Sequence, residues 1–139
     1  MANQELYQDY FKNWVNVRCN DLQADGALTL PKNSLTSAVE SANAVSSNLE
    51  HGLITTSALT NAAGATYNIT FTNNKIAVND TVLLSIKSYS GTWGTNGLPY
   101  VVCTEVGNTV GQATLRVLNT GTTALAGTVI IEFLVIHNA

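Results

Sequence analysis

The spacing of apolar positions changes along this chain, and each change predicts a different element. Leu6, Tyr7, Tyr10, Phe11 and Trp14 fall on one side of a 3.6-residue repeat, which predicts an amphipathic helix of about three turns over residues 1–14. Its apolar stripe is mostly aromatic, as interface anchors often are, so it either docks on another chain or packs on its own domain. From Val15 the period becomes two. Val15, Val17 and Cys19 alternate with Asn16, Arg18 and Asn20, and the alternation continues from Leu22 to Leu30 around Asp25-Gly26, a hairpin turn signal. Beyond Pro31, Leu35, Val39, Ala42, Ser46 and Leu49 follow a four-three spacing, which predicts a short central helix over 34–50. Asn33 or Ser34 would cap its start and Gly52 would close its end. Two heptads are too short to persist alone, so Leu35, Val39, Ala42 and Leu49 are expected either to form a self-association seam or to pack on the parent domain.

From Tyr67 onward the pattern is strand and turn. Residues 67–71, 81–89, 98–106, 113–119 and 128–136 are strand-like runs, with weaker ones at 54–59 and 75–78. Turn signals separate them: Asn73-Asn74, Asn79-Asp80, Ser90-Gly91, Asn96-Gly97, Gly107-Asn108 and Asn119-Thr120-Gly121. Short strands without intervening helices predict a mainly β fold, an antiparallel β-sandwich or jelly roll over residues 61–139. Residues 15–60 would then be a strand and helix neck in front of this head. The last run, Val129–Ile136, is nearly all apolar and predicts a central strand, since an exposed edge of this kind would template aggregation. Val129, Ile131, Phe133 and Val135 would fill the core. Ile130, Glu132, Leu134 and Ile136 would face neighbouring subunits, with Glu132 hydrogen-bonded at that boundary because an unpartnered buried acid is costly.

Composition changes the picture in one respect. Charged residues are only 11% of the 139-residue chain while hydrophobic content is 45%, and polarity is carried by Thr, Ser, Asn and Gly. Such a surface suits a chain that covers itself with copies of itself. A net charge of −3, with no lysine or arginine cluster, disfavours nucleic acid. The N-terminal decapeptide has no secretory apolar core, and the longest apolar run is too short to cross a bilayer as a helix, so membrane insertion is not expected. Cys19 and Cys103 are expected to be free thiols in a reducing cytosol.

Little in the chain points to catalysis. His51 and His137 have no neighbour at metal-ligand spacing, so neither a metal nor a cofactor is expected. Glu105, Glu132 and Asp80 are the acids of the strand-rich half, and nothing in their spacing pairs two of them for glycoside hydrolysis. Gly91–Gly97 is not a dinucleotide fingerprint, because its glycine spacing is wrong and it lies between strands. The chain is therefore expected not to be an enzyme. The segment Tyr89–Tyr100 is the candidate ligand loop. Tyr89, Trp93, Asn96 and Tyr100 stand there among glycines and hydroxyls, a mixture familiar from recognition loops, although Trp93 would equally plug one end of a sandwich.

The run V-R-C-N-D-L-Q-A-D-G-A-L-T-L-P-K-N-S-L-T-S, Val17–Ser37, resembles neck sequence of trimeric viral and phage fibres. The ending, Leu118–Ile136, resembles the closing strands of small β-sandwich heads on such fibres and on capsid decoration proteins. The chain departs from a true shaft in having at most two imperfect repeats. The resemblance implies a short fibre, spike, minor capsid or decoration protein, assembled in the host cytoplasm as a homotrimer and localised to the virion. The helix bearing Leu6, Tyr7, Tyr10, Phe11 and Trp14 would attach to capsid or tail proteins, and the head would face outward, with a host-surface glycan or receptor as its ligand.

Overall fold

Alternation along the described residues folds into eight strands: β1 (Ser37–Val39), β2 (Ala44–Ser46), β3 (His51–Thr55), β4 (Thr66–Thr72), β5 (Thr81–Tyr89), β6 (Pro99–Val106), β7 (Gln112–Asn119) and β8 (Val129–Ile136). The structure, a computed structural model, describes residues 37–106 and 109–138. The strands form two four-stranded sheets, ordered β1-β3-β8-β5 and β2-β4-β7-β6. The fold is mainly β, and no helix occurs among the described residues. The expected helix over residues 1–14, with Leu6, Tyr7, Tyr10, Phe11 and Trp14, lies outside the described residues, as do the Asp25-Gly26 hairpin and Leu35.

The inner faces meet in a layered, sandwich-like core. Ile54, Ile131 and Phe133 of one sheet and Ile69, Phe71 and Leu115 of the other are almost wholly buried. The Phe71 and Phe133 rings close the gap edge to face, with centroids 4.8 Å apart. Along β4 and β5 alternate residues turn inward, with Ile69, Phe71 and Val82 buried. Strand β8 is central, as its unbroken apolar run requires, hydrogen-bonded to β3 on one side and β5 on the other. Gly52 lies opposite Phe133 in this ladder. A Cβ on Gly52 would come within 2.9 Å of the Phe133 ring. Gly52→Ala is therefore expected to destabilise the protein by about 2 kcal/mol in urea unfolding, because the ring must move within a packed core.

The helix expected over 34–50 is replaced by two short strands and a turn. Ala42 and Asn43 both have positive φ, 50° and 67°, which no right-handed helix admits. Ser41 and Ala44 close the turn with reciprocal backbone hydrogen bonds of 2.9 and 3.0 Å, the pattern of a two-residue type I′ turn. Heptad spacing is misleading here, because Ala38 and Val45, which lie off the four-three pattern, reach the core along with Leu49, while Val39 points outward. Both short strands pair in parallel, β1 with β3 and β2 with β4, so the sheets are mixed, while the pairs within residues 61–139, β4 with β7, β6 with β7 and β5 with β8, are antiparallel as expected. Residues 37–55 thus contribute a strand or more to each sheet. The weak run 75–78 forms no strand; it is a turn region that buries Ile76.

Glu40 holds the corner where the chain passes from one sheet to the other. Its buried carboxylate accepts hydrogen bonds from Asn43 N (2.6 Å), Ser57 N (2.8 Å) and Tyr67 Oη (2.9 Å). Burial pushes the Glu40 carboxyl up, but the hydrogen bonds from Ser57, Tyr67 and Asn43 outweigh it and hold the group below its ordinary range.

Candidate functional site

Three loops meet at one end of the two sheets: 56–65, 90–98 and 120–128. Asn119, the last residue of β7, joins them. It is fully buried, and its amide nitrogen donates to Asn61 O (3.0 Å) and Thr123 O (2.7 Å) while its oxygen accepts from Leu98 N (3.1 Å) and Gly121 N (3.0 Å). All four hydrogen-bonding positions of the side chain are in use. Thr123 adds a second tie, donating from Oγ1 to Thr95 O and accepting from Gly97 N. Gly97 sits at φ 77°, and a Cβ there would strike Asn119 Oδ1 and Leu125, so this close approach of loops requires glycine.

The candidate ligand loop is built on this frame. Tyr89 is buried at the end of β5, where its hydroxyl donates to Asn96 O and accepts from Ala126 N. Asn96 bridges its own loop, accepting from Thr92 N at Oδ1 (3.0 Å) and donating from its backbone N to Thr92 O (2.8 Å). Trp93 packs edge-on against Tyr89, with centroids 5.5 Å apart and planes at 79°, yet is 51% exposed. It therefore does not plug the end of the sheets. The structure brings Tyr89, Trp93 and Asn96 together, with Tyr89 and Asn96 as framework and Trp93 displayed. Tyr100 is 57% exposed on the outer face of β6, opposite Leu118 of β7, and is a separate feature. The spacing of glycines and aromatics marked the loop, but nothing in it pointed to Asn119.

The seam residues are not brought onto one face. Val39 faces outward on β1, Ala42 is at the turn, and Leu49 packs against the core. Glu132 has a partner inside its own chain: His51 Nε2 donates to its Oε1 at 2.8 Å. His137 likewise meets Asp80, with Nδ1 2.8 Å from Oδ2. Asp80 also accepts from Ala77 N and Asn138 N, and these hydrogen bonds, Ala77 foremost, hold its carboxyl below the usual range. Both histidines thus have partners that no local spacing announced. Among the described residues, no group of three or more His, Cys, Asp or Glu converges as a metal site, and no helix is long and apolar enough to cross a membrane.

The outer faces of the two sheets differ in chemistry. On β2-β4-β7-β6 the outward residues include Asn68, Thr70 and Thr72 of β4, Thr114 and Arg116 of β7, and the exposed Tyr100 and Val102 of β6, with Arg116 donating to Asn68 Oδ1. On β1-β3-β8-β5 they include Val39, Leu53, Ile130, Leu134, Leu83 and Ile136. From β1 across β3 and β8 to residues 81–85 of β5, this face carries no lysine or arginine, and its only acid is Glu132, paired with His51. Comparison with protein-family models, with curated proteins and with solved structures finds no match.

Proposed function

We propose that this chain is a virion structural protein: a homotrimeric short fibre, spike, minor capsid or decoration protein with an exposed β-sandwich head of jelly-roll-like connectivity. The observation that carries this reading is the outer face of β1-β3-β8-β5, where Val39, Leu53, Ile130, Leu134, Leu83 and Ile136 surround a single acid, Glu132, hydrogen-bonded to His51. A lone folded unit gains nothing by displaying such a face, whereas a protein that assembles buries it. The connectivity supports the head as well, since consecutive strands alternate between the two sheets from β1 to β6, β7 pairs beside β6, and β8 returns to the first sheet. Acids held in structural hydrogen bonds, Glu40 and Asp80 among them, favour an architectural role over a catalytic one.

The test is made on purified particles. Quantitative mass spectrometry is expected to find the chain in a fixed copy number that is a multiple of three. Deletion of residues 1–14, including Leu6, Tyr7, Tyr10, Phe11 and Trp14, is expected to abolish incorporation while leaving the strand signal of the circular dichroism spectrum intact. Incorporation that survives the deletion would remove the attachment role, and absence from particles would remove the reading.

The exposed indole of Trp93 favours a second role for the same head, recognition of a host-surface glycan or receptor. Its edge is held by Tyr89 and its loop by Asn96 and Asn119, so a flat apolar ring is presented with little left to order on binding. Trp93→Ala is expected to abolish glycan-array binding while changing stability by about 0.5 kcal/mol, as for an exposed position. Unchanged array binding would exclude Trp93 as the contact.

A further inference from the structure

We infer that the ligand of the Trp93 end is an uncharged saccharide bound without a metal ion, an inference that rests on the glycan-recognition reading above and narrows its ligand. The three loops that meet there, 56–65, 90–98 and 120–128, contain no Asp, Glu, Lys, Arg or His. Their polarity comes from Thr, Ser and Asn. The charged side chains that flank them have other surroundings. Glu40 is buried, with its carboxylate held by Asn43, Ser57 and Tyr67. Glu132 and Arg116 lie on the outer faces of β8 and β7, bonded to His51 and Asn68. Lys87 is exposed in β5, at the bulge between Ile86 and Ser88.

Each class of charged ligand lacks a counterpart in these loops. A carboxylate, sulfate or phosphate needs a guanidinium, an ammonium or a cradle of free backbone N–H groups. The loops supply no cation, and backbone donors around Trp93 are engaged internally. Thr92 N and Asn96 N bond across the Thr92–Asn96 turn, Gly94 N donates to Gly97 O, Gly97 N to Thr123 Oγ1 and Leu98 N to Asn119 Oδ1. A calcium ion bridging to sugar hydroxyls would take about six to eight oxygens, carboxylates among them, and the loops hold no carboxylate. A cationic ligand is held by an acid or by a cage of aromatic faces, whereas these loops expose one ring, with Tyr89 buried edge-on beneath it. Trp93 and Leu98 are the only exposed large apolar side chains of the three loops, too little for the apolar centre of a stable protein interface. What remains is a flat indole in loops whose Thr92, Thr95 and Thr122 are also exposed. A pyranose presents the complement: a face of C–H groups to lie on the ring, and a rim of hydroxyls that, like those of threonine, both donate and accept.

The full-length chain tests this on a glycan array that carries each core in neutral, sialylated and sulfated form, with near-ultraviolet circular dichroism to confirm the folding of every variant. Wild type is expected to bind neutral cores, with a signal that EDTA leaves unchanged. A sialic acid or sulfate on the terminal sugar is expected to lower binding about tenfold or more, because the added charge would be desolvated without a partner. Trp93→Ala is expected to abolish the signal and Lys87→Ala to leave it unchanged. Stronger binding to the acidic forms that is lost in Trp93→Ala or Lys87→Ala, or a signal lost in EDTA, overturns the inference while the glycan reading stands. A signal that survives Trp93→Ala removes the contact itself and the inference with it, and so does an array on which wild type binds nothing.

Discussion

Replacing Asn119 by leucine is expected to lower the unfolding free energy by about 4 kcal/mol, the largest loss foreseen for any single polar substitution in this protein. The side chains match in size, so little of the effect is cavity. Leucine would leave two carbonyls, Asn61 O and Thr123 O, and two amides, Leu98 N and Gly121 N, without partners beside a fully buried position. Urea unfolding measures the loss directly. Hydrogen exchange gives a signature that a simple core defect lacks: residues 92–98 and 121–126 are expected to lose protection first, since Asn119 is what ties these loops together. Asn119→Asp separates charge from shape, because a carboxylate keeps the acceptor toward Leu98 and Gly121 but turns an oxygen toward two carbonyls. It is expected to be nearly as destabilising at neutral pH and less so in acid, where protonation restores one donor. A loss of under about 1 kcal/mol for both variants would show that the loops are held mainly by packing.

Glu40→Gln is expected to cost about 3 kcal/mol at neutral pH. One carboxylate oxygen becomes an NH₂ group that faces a donor it cannot accept from, either Ser57 N, now bonded to Oε2, or Asn43 N and Tyr67 Oη, now bonded to Oε1. The corner it holds also carries Ala42 at φ 50°, a conformation that costs about 1 kcal/mol and persists only while neighbouring contacts enforce it. The sign of the pH dependence follows from the lowered carboxyl. A carboxylate with a folded pKa below its unfolded one stabilises fully above the unfolded value and loses that contribution as pH falls through the folded one. The Glu40 contribution is therefore complete above its ordinary value of 4.5 and declines below it. Urea melts of wild type and Glu40→Gln should differ most at neutral pH and converge in acid, while Asp80, present in both, adds a common acid loss. A difference that stays constant with pH would mean that the neutral acid serves the corner as well as the carboxylate does.

Much of the β architecture was legible in the chain because period-two alternation is a local signal. The runs at 81–89 and 128–136 became β5 and β8 with at most one residue of difference, and parity alone identified the inward residues of the closing strand, Val129, Ile131, Phe133 and Val135. Central placement of β8 followed from its unbroken apolar character. The segment 34–50 was misread for an equally physical reason. Its small residues satisfy a four-three spacing by coincidence, and the choice of turn over helix depends on Glu40 reaching Ser57 and Tyr67, which are distant in sequence. Propensity cannot carry that information; only the folded contacts do.

The candidate ligand loop divides in the same way. Its aromatic and glycine content was visible, but whether Trp93 is displayed or buried depends on Tyr89 filling the space beneath it, with its hydroxyl tied to Asn96 and Ala126. The partners of the two histidines were also beyond the sequence, since His51 meets Glu132 and His137 meets Asp80 across separations of 81 and 57 residues. The amino-acid sequence by itself determined the strands from β4 to β8, most of their turns and the two-sided character of the last strand, because these depend on neighbours along the chain. The tertiary structure alone decided the mixed sheets, the Asn119 and Glu40 junctions and the apolar outer face of β1-β3-β8-β5, because each requires residues that only folding brings within hydrogen-bonding or packing distance.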